Sequence, residues 1–427
     1  MVVRDYLIRN ATDRSGKRID VVITDGEISN IRSAGDADTT RFKPDTQFDA
    51  EGSLVTPTFS EPHTHLDTAM TVEKARVNDS GTVEEGWDVW ASVREELTKA
   101  GAKRRAKKNL EWFLSNGVTR VRTHADVTAS GWAAIEALLE LREEFDPIDV
   151  DIIAFPIDSV VDDPDTLDEV EQALEMGVDI VGGLPHKERT RERGVEHVRK
   201  LVALADENDA RMDFHIDETD DPQCRFTEVL VDETRRRGIS SLATASHATA
   251  LHSYPNTYAS KLIYELSQSD VSVVTNPLAN AIVQGRYDDY PKRRGITRVD
   301  ELREAGVTVG IGQDSLLDST YQYGDGDPLT AAHMLAHFAH MNLRRDVGDI
   351  WDMLTYGNAD IFGAENYGLS EGDEGSLVVF DSSDPFTALR TRRPRKLVLR
   401  DGKPVAKGSR SVSVRSDDSW DELTLDL

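Results

Sequence analysis

The sequence predicts an α/β protein: a closed (β/α)8 barrel with a small β-sandwich domain formed by both chain termini. Three observations carry this. Eight apolar runs of strand length alternate with segments of helical period through the middle of the chain. Both ends are instead rich in short β pieces, and histidines gather where the eight runs stop. Strands alternating with helices imply a parallel sheet, and eight such units suit a barrel whose chemistry lies at the C-terminal strand ends.

The N-terminal segments 6–10, 18–23 and 28–31 are apolar-rich and separated by turns such as Asp25-Gly26. They assign residues 1–55 to the small β domain. The eight barrel strands are expected at Leu54–Phe59, Thr119–His124, Val150–Pro156, Asp179–Leu184, Arg211–His215, Ser241–His247, Val271–Asn276 and Val307–Asp314. Helical patterns at Ala102–Leu114, Leu167–Met176, Val195–Asn208 and Phe226–Arg237 lie between them. Gly117, Gly177, Gly238 and Gly306 each precede a strand, where a helix C-terminus needs a residue free to adopt positive φ. The barrel is expected over 56–365. Residues 366–427 return to β pattern at 375–381 and 396–400, with an Asp401-Gly402 turn, and complete the small domain. The tail after about Arg410 is polar and is expected to be loose. A doubly wound open sheet is the competing fold, but no Gly-x-Gly-x-x-Gly opens a helix.

Composition limits the function classes. The chain has 427 residues, 38% hydrophobic and 30% charged, as a soluble globular protein does. No apolar run reaches the roughly 18 residues of a membrane span, and the N-terminus lacks the apolar core of a secretory signal. A cytoplasmic location is expected. Asp plus Glu total 78 against 50 Lys plus Arg, a net charge of −28, which repels nucleic acid and anionic membranes. Acidic residues run through the whole length, and salt adaptation is the sharper reading of that balance. The single cysteine, Cys224, can build neither an internal disulfide nor a thiolate cage, so any metal must be held by His, Asp or Glu.

The strand ends supply such residues. The first run is followed by Pro62-His63-Thr64-His65, the second ends at His124, and the fourth leads to His186. The fifth ends at His215 with Glu218 three residues on, the sixth ends at His247, and the eighth at Gln313-Asp314. In extended chain, residues i and i+2 face the same side, so His63 and His65 can reach one cation. A lone histidine at a strand end is usually structural; this many at corresponding ends are not explained that way. Imidazole and carboxylate without thiolate suit Zn(II) or Fe(II). Glu218, just past a ligand strand, is placed to move a proton.

Together these residues resemble the amidohydrolase superfamily, in particular its cytosine deaminase-like members. The matching stretches are SEPHTHLDT (60–68), VRTHADV (121–127), HIDETDDPQCRF (215–226), ASHATALHSY (245–254), NPLANAIVQGRYDDYPKRRGITRV (276–299) and GQDSLLD (312–318). The resemblance implies that His63, His65, His215 and Asp314 bind one divalent ion, Zn or Fe. It makes Asp314 the acceptor of a proton from the attacking water, His247 the group that orients this water, and Glu218 the donor to the ring nitrogen. It also locates departures at the substrate. Ile157 follows Ala-Phe-Pro where the family carries glutamine, Thr320 stands in place of tryptophan, and Gln313-Asp314-Ser315 replaces His-Asp-Asp. Ile157, Gln313 and Thr320 are therefore the candidate substrate-binding residues.

The resemblance implies hydrolytic deamination of a cytosine-like amino-heterocycle, with ammonia released. Two alternatives stand beside it: an amidohydrolase cleaving another C–N bond, as in an N-alkylamino-triazine or a cyclic amide, and a catalytically silent ligand-binding barrel. The expected partner is a small-molecule substrate, and a homo-oligomer is compatible with the resemblance.

Overall fold

The computed structural model describes residues 5–73, 76–416 and 419–422. The chain divides into two compact units, one of residues 1–59, 114–119 and 364–427, the other of 60–113 and 120–363.

The first unit holds two four-stranded sheets. One contains Tyr6–Thr12, Arg18–Thr24, Glu27–Ser33 and Gln47–Asp49; the other contains Val55–Pro57, Leu377–Phe380, Arg395–Arg400 and Lys403–Lys407. Alternate residues of both sheets point into one core, with Ile8, Val21 and Ile23 from the first and Val55, Val379 and Leu397 from the second all fully buried. This is the two-ended β sandwich. In the tail, Ser413–Ser416 pairs antiparallel with Ser419–Glu422. Residues 423–427 lie outside the described residues.

The second architecture is a parallel sheet of eight strands in sequential order: Phe59–Thr64, Val118–Asp126, Asp149–Phe155, Ile180–Gly183, Arg211–Ile216, Ala243–His247, Ser272–Thr275 and Val309–Ile311. A parallel bridge between Thr64 and Asp314 joins the first strand to the chain leaving the eighth. The intervening helices carry the signals their sequences hold. Asp163 caps Pro164–Glu175 with proline in its first turn, and Thr227–Arg237 ends on Gly238 at φ +74°.

One strand departs from expectation. The apolar run Leu54–Phe59 is not the first barrel strand. Val55–Pro57 pairs antiparallel with Leu377–Val379 in the sandwich, and the barrel strand begins at Phe59. The barrel strand is buried along its whole length yet carries Ser60, Glu61 and His63, so hydropathy alone hides it. Among the described residues no helix is long and apolar enough to cross a membrane.

Candidate active site

The site forms at the C-terminal end of the barrel, where strand termini deliver side chains from five directions. His63 is the penultimate residue of the first strand and is fully buried; His65 follows two residues later. Glu61 Oε1 accepts the backbone N–H groups of His63 at 3.1 Å and Gln313 at 2.9 Å, tying the first strand to the exit of the eighth. Asp314 N–H donates to the His63 carbonyl at 2.8 Å, and Thr64 Oγ1 donates to the Asp314 carbonyl at 2.9 Å. Burial pushes the Glu61 carboxyl up to about 8, so at neutral pH it is largely an uncharged partner beneath the site.

Two site residues sit in left-handed backbone without being glycine: His247 at φ +70° and Asp314 at φ +65°. Such conformations cost about 1 kcal/mol or more and persist where surrounding contacts over-determine them. Here they turn each chain sharply at the strand end, so that the side chain faces the barrel axis.

His63, His65, His215 and Asp314 converge. One ligand atom from each lies within 4.8 Å of the others. His65 Nε2 lies 3.0 Å from His215 Nε2, and Asp314 Oδ1 lies 3.3 Å from His65 Nε2 and 3.5 Å from His63 Nε2. His63 Nε2 is buried with no hydrogen-bond partner. Two imidazole nitrogens facing each other, a third orphaned and a carboxylate oxygen among them fit a divalent cation. Burial, and after it the crowd of imidazoles, holds His215 and His124 well below the usual histidine range, in the neutral form a ligand needs. Burial works to raise the Asp314 carboxyl, but the His63 and His65 imidazoles beside it outweigh that and lower it below the usual carboxylate range. His124 Nε2 lies 3.1 Å from His63 Nδ1. Were His63 to hold an ion through Nε2, its Nδ1–H would donate to His124 and fix the ring's orientation.

Glu218 and His247 stand beside these ligands. Asp217 organises the loop that carries Glu218: its carboxylate accepts from the N–H groups of Phe226 at 2.7 Å and Thr227 at 2.9 Å and from the Thr227 hydroxyl at 2.7 Å. Glu218 is 3% exposed, and burial, then the charge of Asp314, raises its carboxyl well above the usual range. Burial pushes His247 down to about 3.

A pocket opens onto this cluster, lined by His65, His215, Glu218 and Asp314 on its polar side and by Phe155, Ile157, Trp87 and Trp90 on its apolar side. Ile157 and Thr320 both line it. Gln313 does not: its amide donates to the Asp327 carbonyl at 3.2 Å. The tryptophans belong to a helix, Val83–Arg94, that sequence reading passed over. Its signals were present: Thr82 caps it by accepting from Glu85 N–H, with glutamate three residues after threonine. Buried Asp126 anchors it, accepting from Trp90 Nε1 at 2.9 Å and Arg94 Nη1 at 3.2 Å, while Arg94 Nη2 donates to Asp158 at 2.8 Å. Gly86 lets this helix approach the eighth-strand loop, since a Cβ there would lie 2.9 Å from Thr320 Oγ1.

Residues 131–406 match the model of the amidohydrolase family, and the chain belongs to that family. A 5-methylcytosine deaminase from Klebsiella pneumoniae, solved with 5-fluorocytosine, is similar at a TM-score of 0.91 and 37% identity, covering 96% of this chain and 99% of that one. The N-isopropylammelide isopropylaminohydrolase of Burkholderia multivorans is similar at a TM-score of 0.81 and 27% identity, covering 94% and 98%. A pterin deaminase of Rhizobium rhizogenes is 29% identical over 394 residues, 91% of this chain and 88% of its own. The silent-barrel alternative gives way to an enzyme: family and site together define a hydrolase of C–N bonds with a His/Asp site for a divalent metal.

Proposed function

We propose that the protein deaminates a cytosine-like amino-heterocycle hydrolytically, a 5-substituted cytosine being the first substrate to test. The observation that carries this is the placement of Glu218 and His247 against a convergent His63, His65, His215 and Asp314 set, of which His65, His215, Glu218 and Asp314 line one pocket. A divalent ion bound there, zinc or iron on this donor set, supplies the Lewis acidity that makes water nucleophilic near neutral pH. Asp314 accepts a proton from the attacking water, and His247 orients that water. Glu218 gives its proton to the ring nitrogen adjacent to the carbon under attack. The water oxygen bonds to that carbon, the second proton passes to the amine, the C–N bond breaks, and ammonia leaves a ring carbonyl behind.

The 5-substituted cytosine is supported by the 37% identity to the 5-methylcytosine deaminase. Ile157 and the two tryptophans offer a pyrimidine ring apolar walls. Ile157 can make no hydrogen bond, so ring-edge reading falls to other groups or yields to packing. That feature, with the similarity to N-isopropylammelide isopropylaminohydrolase, favours as a second reading the removal of an alkylamine from a triazine. Ammonia or amine release by metal-loaded protein, measured on cytosine, 5-methylcytosine, a pterin and an N-alkylamino-triazine, separates these readings. With a net charge of −28 the enzyme acts on a small molecule in the cytoplasm and does not engage nucleic acid or anionic membranes. The same charge adapts it to salt, which screens the mutual repulsion of its acidic groups. A melting temperature that rises from 0.1 M to molar KCl supports this adaptation, and one indifferent to salt contradicts it.

A further inference from the structure

The stretch beginning Asn276-Pro277-Leu278-Ala279-Asn280 supplies neither an ion ligand nor a proton donor to the reading above, yet it lies against both Glu218 and His247. Asn276 caps a short helix, Pro277–Val283, that follows the seventh strand. Asn280 is one turn further on, so both amides sit on one helix face. Both are buried, Asn276 fully and Asn280 at 1% exposure.

Asn280 Nδ2 donates to Glu218 Oε1 at 2.9 Å, and the same carboxamide lies 3.1–3.2 Å from His247 Nδ1. Glu218 Oε1 and His247 Nδ1 are themselves 3.4 Å apart. Asn276 Nδ2 reaches His247 Nδ1 at 3.3 Å. The surroundings hold this arrangement tightly. A Cβ at Gly312 would lie 2.4 Å from Asn276 Oδ1, and one at Gly295 would lie 2.4 Å from the Asn280 carbonyl. A carboxamide suits the place: it donates and accepts, it carries no charge into a buried site, and it does not compete for the transferred proton.

We propose that Asn280 is a positioning residue for the deamination, its carboxamide holding the Glu218 carboxyl and the His247 imidazole in register while Asn276 backs the imidazole. This rests on the functional reading above. Glu218 sits on a loop and must present one oxygen to the ring, and His247 turns at a positive-φ residue. Without the bridge, each retains its chemistry and loses its aim.

The test uses metal-loaded full-length protein with the best substrate of the wild-type panel. Asn280→Asp is near-isosteric, removes the N–H donor and sets a second carboxyl against Glu218. Asn280→Ala removes the bridge altogether. Both are expected to keep one ion per chain and to lose about 10²-fold in kcat, with KM within about threefold, as for removal of a single preorganised donor. In a Glu218→Gln background the added loss should shrink to less than about fivefold, because the two act as one unit. Asn280→Asp, being the same size, covers the case in which the alanine variant does not fold. Near-wild-type kcat in the aspartate variant at full metal content, or losses that multiply fully with Glu218→Gln, would overturn the proposal. A wild type that turns over nothing on the panel overturns the functional reading instead.

Discussion

Replacing Glu218 by glutamine isolates the proton transfer from everything else the residue does. The side chain keeps its length, and its amide oxygen can still accept from Asn280 Nδ2, which is 2.9 Å from Glu218 Oε1. The candidate ion ligands His63, His65, His215 and Asp314 are untouched. The acid is 3% exposed, and burial with the charge of Asp314 raises its carboxyl well above the usual range, which favours the protonated form a donor needs. The variant removes that proton and nothing of similar size. A general acid–base contribution is worth about 10²–10⁴ in rate, or about 3–5 kcal/mol of barrier. Little of this should appear in stability, since glutamine fills the same space and can keep the contact with Asn280. The assay is continuous ammonia release at saturating substrate, with metal content and melting temperature recorded on the same preparation. Metal near one ion per chain, melting within a few degrees of wild type and kcat down by at least two orders of magnitude are expected. A variant within tenfold of wild type at full metal content would refute the reasoning and send the ring proton by another route.

Further outcomes follow from the same geometry. His63→Ala and His215→Ala should each lose the ion and nearly all turnover, since a four-ligand site does not tolerate a deletion; metal analysis by mass spectrometry after gel filtration checks this. Ile157→Gln puts an amide on the pocket wall beside Phe155 and Trp90, and should raise kcat/KM for cytosine relative to the best native substrate; no change in that ratio means that Ile157 does not set specificity. Stability of the metal-free protein should fall with pH through His197. This imidazole is 1% exposed and held below the usual range mainly by burial, while Leu184 N–H donates to its Nε2 at 2.9 Å. A lowered folded-state pKa means that the unfolded chain binds the proton first as pH drops through about 6.5, so stability is lost below that pH by up to about 1.4 kcal/mol per unit. Urea midpoints at pH 7.5 and 5.5 should show His197→Asn to be less pH-sensitive than the parent.

Much of this site is legible in the sequence because the chemistry concentrates at strand ends. His63-x-His65 needs only the two-residue period of extended chain, and His215, His247 and Asp314 each close a run that reads as a strand. The first strand was misplaced because a catalytic strand buried on all sides can carry Glu61 and His63 in place of aliphatics, while the truly apolar run beside it, Val55–Pro57, serves the sandwich. Gln313 lies outside the pocket lining, with its amide on the Asp327 carbonyl, and closeness in sequence to Asp314 does not reveal that. The helix of Trp87 and Trp90 follows no strand-helix rhythm, and what fastens it is a tertiary contact, Asp126 to Trp90 and Arg94. The role of Asn280 likewise emerges only when the seventh strand's helix is set beside the fifth and sixth strand ends.

The central claim is that a divalent ion on His63, His65, His215 and Asp314 is required for hydrolytic release of ammonia from a cytosine-like ring. The most direct measurement is ammonia production from 5-methylcytosine and cytosine by one preparation, first chelated and then reconstituted stepwise with zinc or ferrous ion. The account predicts no turnover in the chelated protein and activity that rises linearly and saturates at one ion per chain. Full activity without metal, or a reconstituted protein that releases no ammonia from either ring, would contradict it.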